Sequence, residues 1–237
     1  MKSLLVSVFS LLFVLQSFSQ DTTAVATKPA PKPASADDYT YDKFNFGLAV
    51  TPSINWLTPG NDYADKDGMK VGFAYGIVGD ISFAQRYSFS TGVDIAYYGG
   101  KLKYTMSTGD STGTNYTVYD NYKLNYVNIP ISIKMRTNKV NPKLAFFGQF
   151  GFVPGISTGA KAERSYSNGQ EDETVGFSKN ATDVIFGLRV GAGVEYFLSG
   201  NTRAFAGLTW NQGFSQVIKG DFDSKSNYIA LQLGIFF

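Results

Sequence analysis

The chain has 237 residues, no cysteine, no histidine, 25 glycines and an aromatic share of 16%, but a charged share of only 17%, against about 25% in ordinary soluble domains. Without Cys there is no disulfide, thiolate nucleophile, lipid-modified cysteine or Cys-built metal centre, and without His the Ser-His-Asp triad and the commonest metal ligand are closed. The formal net charge of +2 is too small to imply a nucleic-acid partner, and the length suits one all-β domain of roughly 200–250 residues.

Lys2 precedes an apolar run from Leu4 to Leu15, broken only by Ser7 and Ser10 and followed by Gln16-Ser17-Phe18-Ser19-Gln20. A basic start, about a dozen apolar residues and a small-residue exit predict a secretory signal peptide over residues 1–20; a spanning helix needs about 20 apolar residues. Residues 21–40, which include Lys-Pro-Ala-Pro-Lys-Pro-Ala at 28–34, cannot bury a core and predict an extended, disordered linker. The folded domain is expected over residues 41–237.

From Lys43 onward apolar and small or polar residues alternate with period two, which predicts strands. The apolar phase runs through Phe44–Val50, Val71–Phe83, Tyr87–Tyr97, Val127–Met135, Leu144–Phe152, Val184–Tyr196, the weaker Ala204–Trp210, and Ile229–Phe237. These are eight expected strands. The opposing phase is mostly Gly, Ala, Ser and Asn, including the glycines at 72, 76, 92, 187, 191 and 193. A water-facing strand surface carries more Lys, Glu and Thr, whereas a narrow lumen needs small residues for room. The pattern therefore predicts an all-β, eight-stranded, antiparallel up-and-down transmembrane barrel, with its apolar phase against outer-membrane lipid.

The connections agree. Gln85-Arg86, Thr137–Pro142 and Ser199–Thr202 are short; Leu57–Gly68, Ser107–Tyr119, Gly159–Asn180 and Asn211–Lys225 are long. Short turns alternating with long loops place both chain ends in the periplasm of a Gram-negative bacterium. In the last strand Ile229, Leu231, Leu233, Ile235 and the terminal Phe237 resemble the signal read by the outer-membrane assembly machinery, an expected partner during biogenesis.

Tyr126-Val127-Asn128-Ile129-Pro130-Ile131-Ser132-Ile133-Lys134 resembles the Tyr-x-x-Ile-Pro-x-x-x-Lys strand of the PorT-like outer-membrane β-barrel family, a porin-like group with an OmpA-like eight-stranded barrel. Gly191-Ala192-Gly193-Val194-Glu195-Tyr196 is similar to that family's Gly-x-Gly-x-Glu-Tyr strand, and Gly207-Leu208-Thr209 to another recurrent element. Asn128 stands where the family more often has Glu. The resemblance covers about residues 41–237 and implies barrel and location; some members belong to larger secretion or assembly complexes, so protein partners in such a complex are expected.

The inward phase carries Asp80, Asp94, Lys134, Asp183, Arg189 and Glu195, with Gln149 and Gln232. Eight strands enclose an interior that side chains just fill, and isolated buried ions cost several kcal/mol, so these groups are expected to form a paired lumenal network. Gly191-Ala192-Gly193 lacks the helix of a dinucleotide fingerprint, and Asp65-Lys66-Asp67-Gly68 lacks the closing Glu of a calcium loop, so neither predicts a site. The expected function is non-enzymatic, without cofactor or metal: a structural or interaction component of the outer membrane. The alternatives are a narrow porin or channel, and an outer-membrane enzyme, which the missing His disfavours.

Overall fold

In the computed structural model, residues 42–107, 114–176, 181–219 and 223–237 are described. The expected signal peptide and linker, 1–20 and 21–40, lie outside them. Ten antiparallel strands follow in chain order: β1 (Phe44–Pro59), β2 (Asp65–Ala84), β3 (Tyr87–Ser107), β4 (Asn115–Asn128), β5 (Ile131–Arg136), β6 (Leu144–Tyr166), β7 (Glu173–Gly176), β8 (Val184–Ser199), β9 (Thr202–Ile218) and β10 (Ser224–Phe236). The ring runs β1-β2-β3, then β4 and β5 in line between β3 and β6, then β6-β8-β9-β10, and β1 pairs with β10, from Gly47 opposite Phe236 to Pro59 opposite Ser224, so the sheet closes on itself.

Eight strands are expected from the sequence and ten are present among the described residues; both additions have local causes. Pro130 has no N–H to give to a ladder, so the chain between β3 and β6 breaks at Ile129-Pro130 into β4 and β5. β3 pairs with β4 through Asp94–Ser107 and with β5 through Tyr87–Thr91, and β6 likewise flanks both. The break interrupts hydrogen bonding but not side-chain phase: Tyr126 and Asn128 before it, and Ser132, Lys134 and Arg136 after it, are all buried. The other addition, β7, pairs with β6 inside the segment expected as a loop.

The strands also run far into the other long connections, because the alternation continues there with its sense reversed. Along β3, Tyr87, Phe89, Val93, Ile95 and Tyr97 are exposed, while Ser88, Ser90 and Ala96 are buried. Past Tyr97 the phase is unchanged but the chemistry inverts: Lys101 and Thr105 face out, while Leu102 and Tyr104 are buried. β4 repeats this, with Asn121, Lys123 and Asn125 opposing the buried Val118, Tyr122, Leu124 and Tyr126. The lower wall is apolar outside and polar inside; the upper wall is built like a soluble barrel. Full burial of Leu102 and Leu124 stabilises by roughly 1.5–3 kcal/mol each. The short turns gather at one end of the ring, the turn end, and the long connections at the other, the loop end.

Candidate functional site

Three polar groups occupy the interior. At the turn end, strand phase turns Asp80 of β2, Lys134 and Arg136 of β5, Glu195 of β8 and Arg203 of β9 to the same level, all buried. Lys134 Nζ lies 3.0 Å from Asp80 Oδ2 and 3.4 Å from Glu195 Oε1. Arg136 Nε donates to both Glu195 oxygens at 3.1 and 3.0 Å, its Nη1 donates to Ser88 Oγ at 2.7 Å, and its Nη2 pairs with Asp80. Arg203 Nε lies 3.1 Å from Glu195 Oε2, and its Nη1 donates to Asn45 Oδ1 at 2.8 Å. Three cations thus face two carboxylates. Aromatic faces meet the surplus positive charge: Lys134 Nζ lies 4.7 Å from the ring centre of Phe147 and 4.9 Å from that of Phe236, and the Arg203 guanidinium 4.4 Å from Phe236. These rings lie over glycines. A Cβ on Gly193 would fall 2.7 Å from Phe147, and one on Gly47 2.9 Å from Phe236.

Above this plug lies a neutral-rich layer. Asn128 Nδ2 donates to Asp94 Oδ1 and to the Tyr98 hydroxyl, each at 2.7 Å, and Tyr98 donates to the Tyr228 hydroxyl at 3.0 Å. The Tyr98 and Tyr228 rings stack with centres 4.7 Å apart. Arg189 reaches Asn211 Oδ1 at 3.0 Å and Tyr228 at 3.5 Å, and Gln149 bridges to Gln232 at 3.3 Å. Two cavities of about 20 Å³ each border the Tyr98–Tyr228 pair.

At the loop end Asp120 is buried. Arg164 grips it with two bonds, Nε to Oδ1 at 2.8 Å and Nη2 to Oδ2 at 2.9 Å, the bidentate geometry suited to a carboxylate. Tyr122 and Tyr104 add hydroxyl donors to Oδ2 at 2.9 and 3.3 Å. The bonded carboxylate holds the Arg164 guanidinium above its ordinary value. Burial, and after it Asp120, push both tyrosine hydroxyls up. An open cavity of about 560 Å³ adjoins this group, its lining including Lys101, Tyr119, Asn121, Glu163 and Arg164.

The six expected lumenal charges are therefore divided. Asp80, Lys134 and Glu195 meet at the turn end; Asp94 and Arg189 are joined through Asn128, Tyr98 and Tyr228 one layer higher. Asp183 joins neither and is a correction to the expected set: it precedes Val184, the first residue of β8, where strand alternation no longer sets direction, and it is exposed. Arg136 and Arg203 are missing from the expectation, although the β5 and β9 alternation extended by one residue turns both inward. In the last strand Ile229, Leu231, Leu233 and Phe237 are exposed and Ile235 is half-buried. Among the described residues no group of three or more carboxylates could hold a metal ion.

Residues 18–219 match the family model of the outer membrane protein beta-barrel domain. No curated protein matches the sequence. Among solved structures, Neisserial surface protein A is 16% identical, with 81% of this chain and 97% of that chain covered and a TM-score of 0.46. Ail, the attachment invasion locus protein of Yersinia pestis, is 15% identical over 82% of this chain and 97% of that one, with a TM-score of 0.37. OprG from Pseudomonas aeruginosa is 9% identical over 83% and 97%, with a TM-score of 0.41. The family match spans most of the chain, from before β1 through β9, and the protein belongs to the outer membrane protein beta-barrel domain family.

Proposed function

We propose that the protein is a closed, non-enzymatic barrel spanning the outer membrane, with a structural or interaction role, in the PorT-like branch and as a subunit of a larger secretion or assembly complex. β4 and β5 then act as one stave and β7 as a hairpin outside the wall, leaving eight spanning staves. A signal peptide over 1–20 and a periplasmic linker over 21–40 complete this reading, with both termini periplasmic and the β10 alternation serving assembly.

The observation that carries it is the double interior layer: the Asp80–Glu195–Arg136–Arg203–Lys134 plug, with the Tyr98–Tyr228 layer above it. Both plug carboxylates are engaged by cations and buried, which suits a lumen held shut better than a poised acid or base. Purified protein in planar bilayers is expected to show no steady current. Open-channel conductance abolished by Arg189→Ala would overturn the closed reading. Such a result would favour the second reading, a gated ion path, which the two cavities of about 20 Å³ beside Tyr98 and Tyr228 support, each with room for about one water.

A further inference from the structure

The loop-end wall carries its charge on one side. Lys70 of β2, Lys101 of β3, Lys123 of β4 and Lys161 of β6 sit on neighbouring strands just above the apolar band. Lys70 lies across Gly99, where a Cβ would fall 2.6 Å from its Cδ, and its Nζ donates to Asn121 Oδ1 at 2.8 Å and the Tyr122 carbonyl at 3.3 Å. The Lys101 stem lies beside Gly68, its Cδ 3.7 Å from where a Cβ would stand. Lys123 and Lys161 are direct cross-strand partners, a like-charge pairing that costs stability unless an anion joins it. Glu163 pairs with Lys123 and accepts from Asn121 Nδ2 at 3.0 Å; no other described carboxylate is within ion-pair distance of the four. Three positive charges are left uncompensated. Across the ring, the described outward residues of β9 and β10 above the band are Gln212, Phe214, Gln216 and Lys225.

Height decides what such a cluster meets. Lys123 stands four residues beyond Val127, where the β4 apolar phase begins, or about 10 Å above the band for a strand tilted by roughly 45°. A lysine stem spans much of that distance. Directly below are the exposed rings of Phe73, Tyr75 and Tyr97, with the Tyr75 and Tyr97 ring centres 6.5 Å apart. Above is the cavity of about 560 Å³, whose Tyr119, Asn121, Ser165 and Thr174 offer an aromatic face, an amide and hydroxyls; Asp67 and Glu173 add acceptors.

We infer that this wall binds a phosphate-bearing glycolipid of the leaflet on the loop side, its phosphate on Lys70, Lys101, Lys123 and Lys161, its acyl chains on the rings below and its sugar in the cavity above. Compact, multiply charged phosphate matches a cluster of ammonium point charges, and the apolar wall beneath selects a lipid over a free ion. The inference rests on the membrane-spanning reading.

The test uses the full mature barrel in nanodiscs containing a bis-phosphorylated glycolipid, its dephosphorylated form, or neither, with retained lipid read by native mass spectrometry. Selective retention of the phosphorylated form is expected. The Lys101→Gln/Lys123→Gln/Lys161→Gln triple variant is expected to bind it about 100-fold more weakly, each lysine near a lipid phosphate contributing several-fold. Lys143→Gln, at the turn end, is expected to change nothing. Equal retention by the triple variant and the native barrel overturns the inference, as does competition by inorganic phosphate at the lipid's own potency, which would make the cluster an ion site. Lys161→Glu alone serves should the triple variant not fold. Folding and insertion are followed separately by heat-dependent electrophoretic mobility; a native chain that never inserts overturns the membrane reading, whereas an inserted barrel without lipid selectivity overturns only this inference.

Discussion

The two ends of the barrel solve the same problem in opposite ways. Each buries a carboxylate against arginine, yet the turn-end plug gathers three cations, two carboxylates and a set of phenyl rings, while the loop end holds a single Asp120 with Arg164 and two tyrosine hydroxyls. Around the plug the wall is apolar outside, so water cannot replace a lost partner. Around Asp120 the outer wall is lysine and asparagine, and the Arg164 side chain keeps 23% of its surface. Burial depth, more than the number of ion pairs, should therefore set what each group is worth.

Substitutions can break or sharpen that contrast. Glu195→Ala should have the largest effect, leaving Lys134, Arg136 and Arg203 with Asp80 alone; a loss of about 3–5 kcal/mol is expected for a broken buried pair, read as a lower urea midpoint of the folded barrel in vesicles. Asp120→Asn should cost less, about 1–3 kcal/mol, because Arg164 can turn to water. Hydrogen exchange should quicken in the upper parts of β4 and β6 and stay slow in the apolar band; equal quickening of both would show the two ends to be one cooperative unit. Tyr98→Phe keeps the ring stack but removes the hydroxyl between Asn128 and Tyr228, for about 1 kcal/mol. Lys134→Met should be about as mild, within about 1.5 kcal/mol: it matches the plug's charges and keeps an apolar stem against Phe147 and Phe236. A loss as large as that of Glu195→Ala would show that the surplus cation is needed rather than tolerated.

Alkaline pH offers the same contrast without mutation. Burial and Asp120 hold the Tyr104 and Tyr122 hydroxyls above the ordinary tyrosine value, so the folded state favours their protonated form. The stability linked to them is complete below about pH 10, the unfolded value, and declines above it. The loop end should loosen first on alkaline titration, seen as faster exchange at β4 before any change at β10. Simultaneous loss at both strands would count against separate treatment of the two ends.

Much of this was readable from period two. Phe89, Val93 and Ile95 facing out, with Ser88, Ser90 and Asp94 on the other phase, needed only the alternation and the small size of the inward residues. The inversion above Tyr97 was not readable in the same way: Lys101-Leu102-Lys103-Tyr104 alternates too, but a rule tuned to apolar residues facing lipid ends the strand there. The Tyr126-to-Lys134 segment suggested one strand, and only the missing Pro130 N–H showed why it pairs as two. Arg136 and Arg203 escaped because each sits at a strand end, where sequence gives no boundary sharper than a few residues.

By itself the sequence determined which residues lie on which side of each strand, since side-chain direction alternates locally and needs no partner. It determined too that the strand interiors can hold charge only with company. Which charges keep that company was decided by the closed sheet: register brings Asp80, Lys134, Arg136, Glu195 and Arg203, from four different strands, to one height. It also places Asp94 and Arg189 a layer apart from them and leaves Asp183 outside. Register is a property of the whole ring, because each strand's offset is fixed by both neighbours and the last must return to the first.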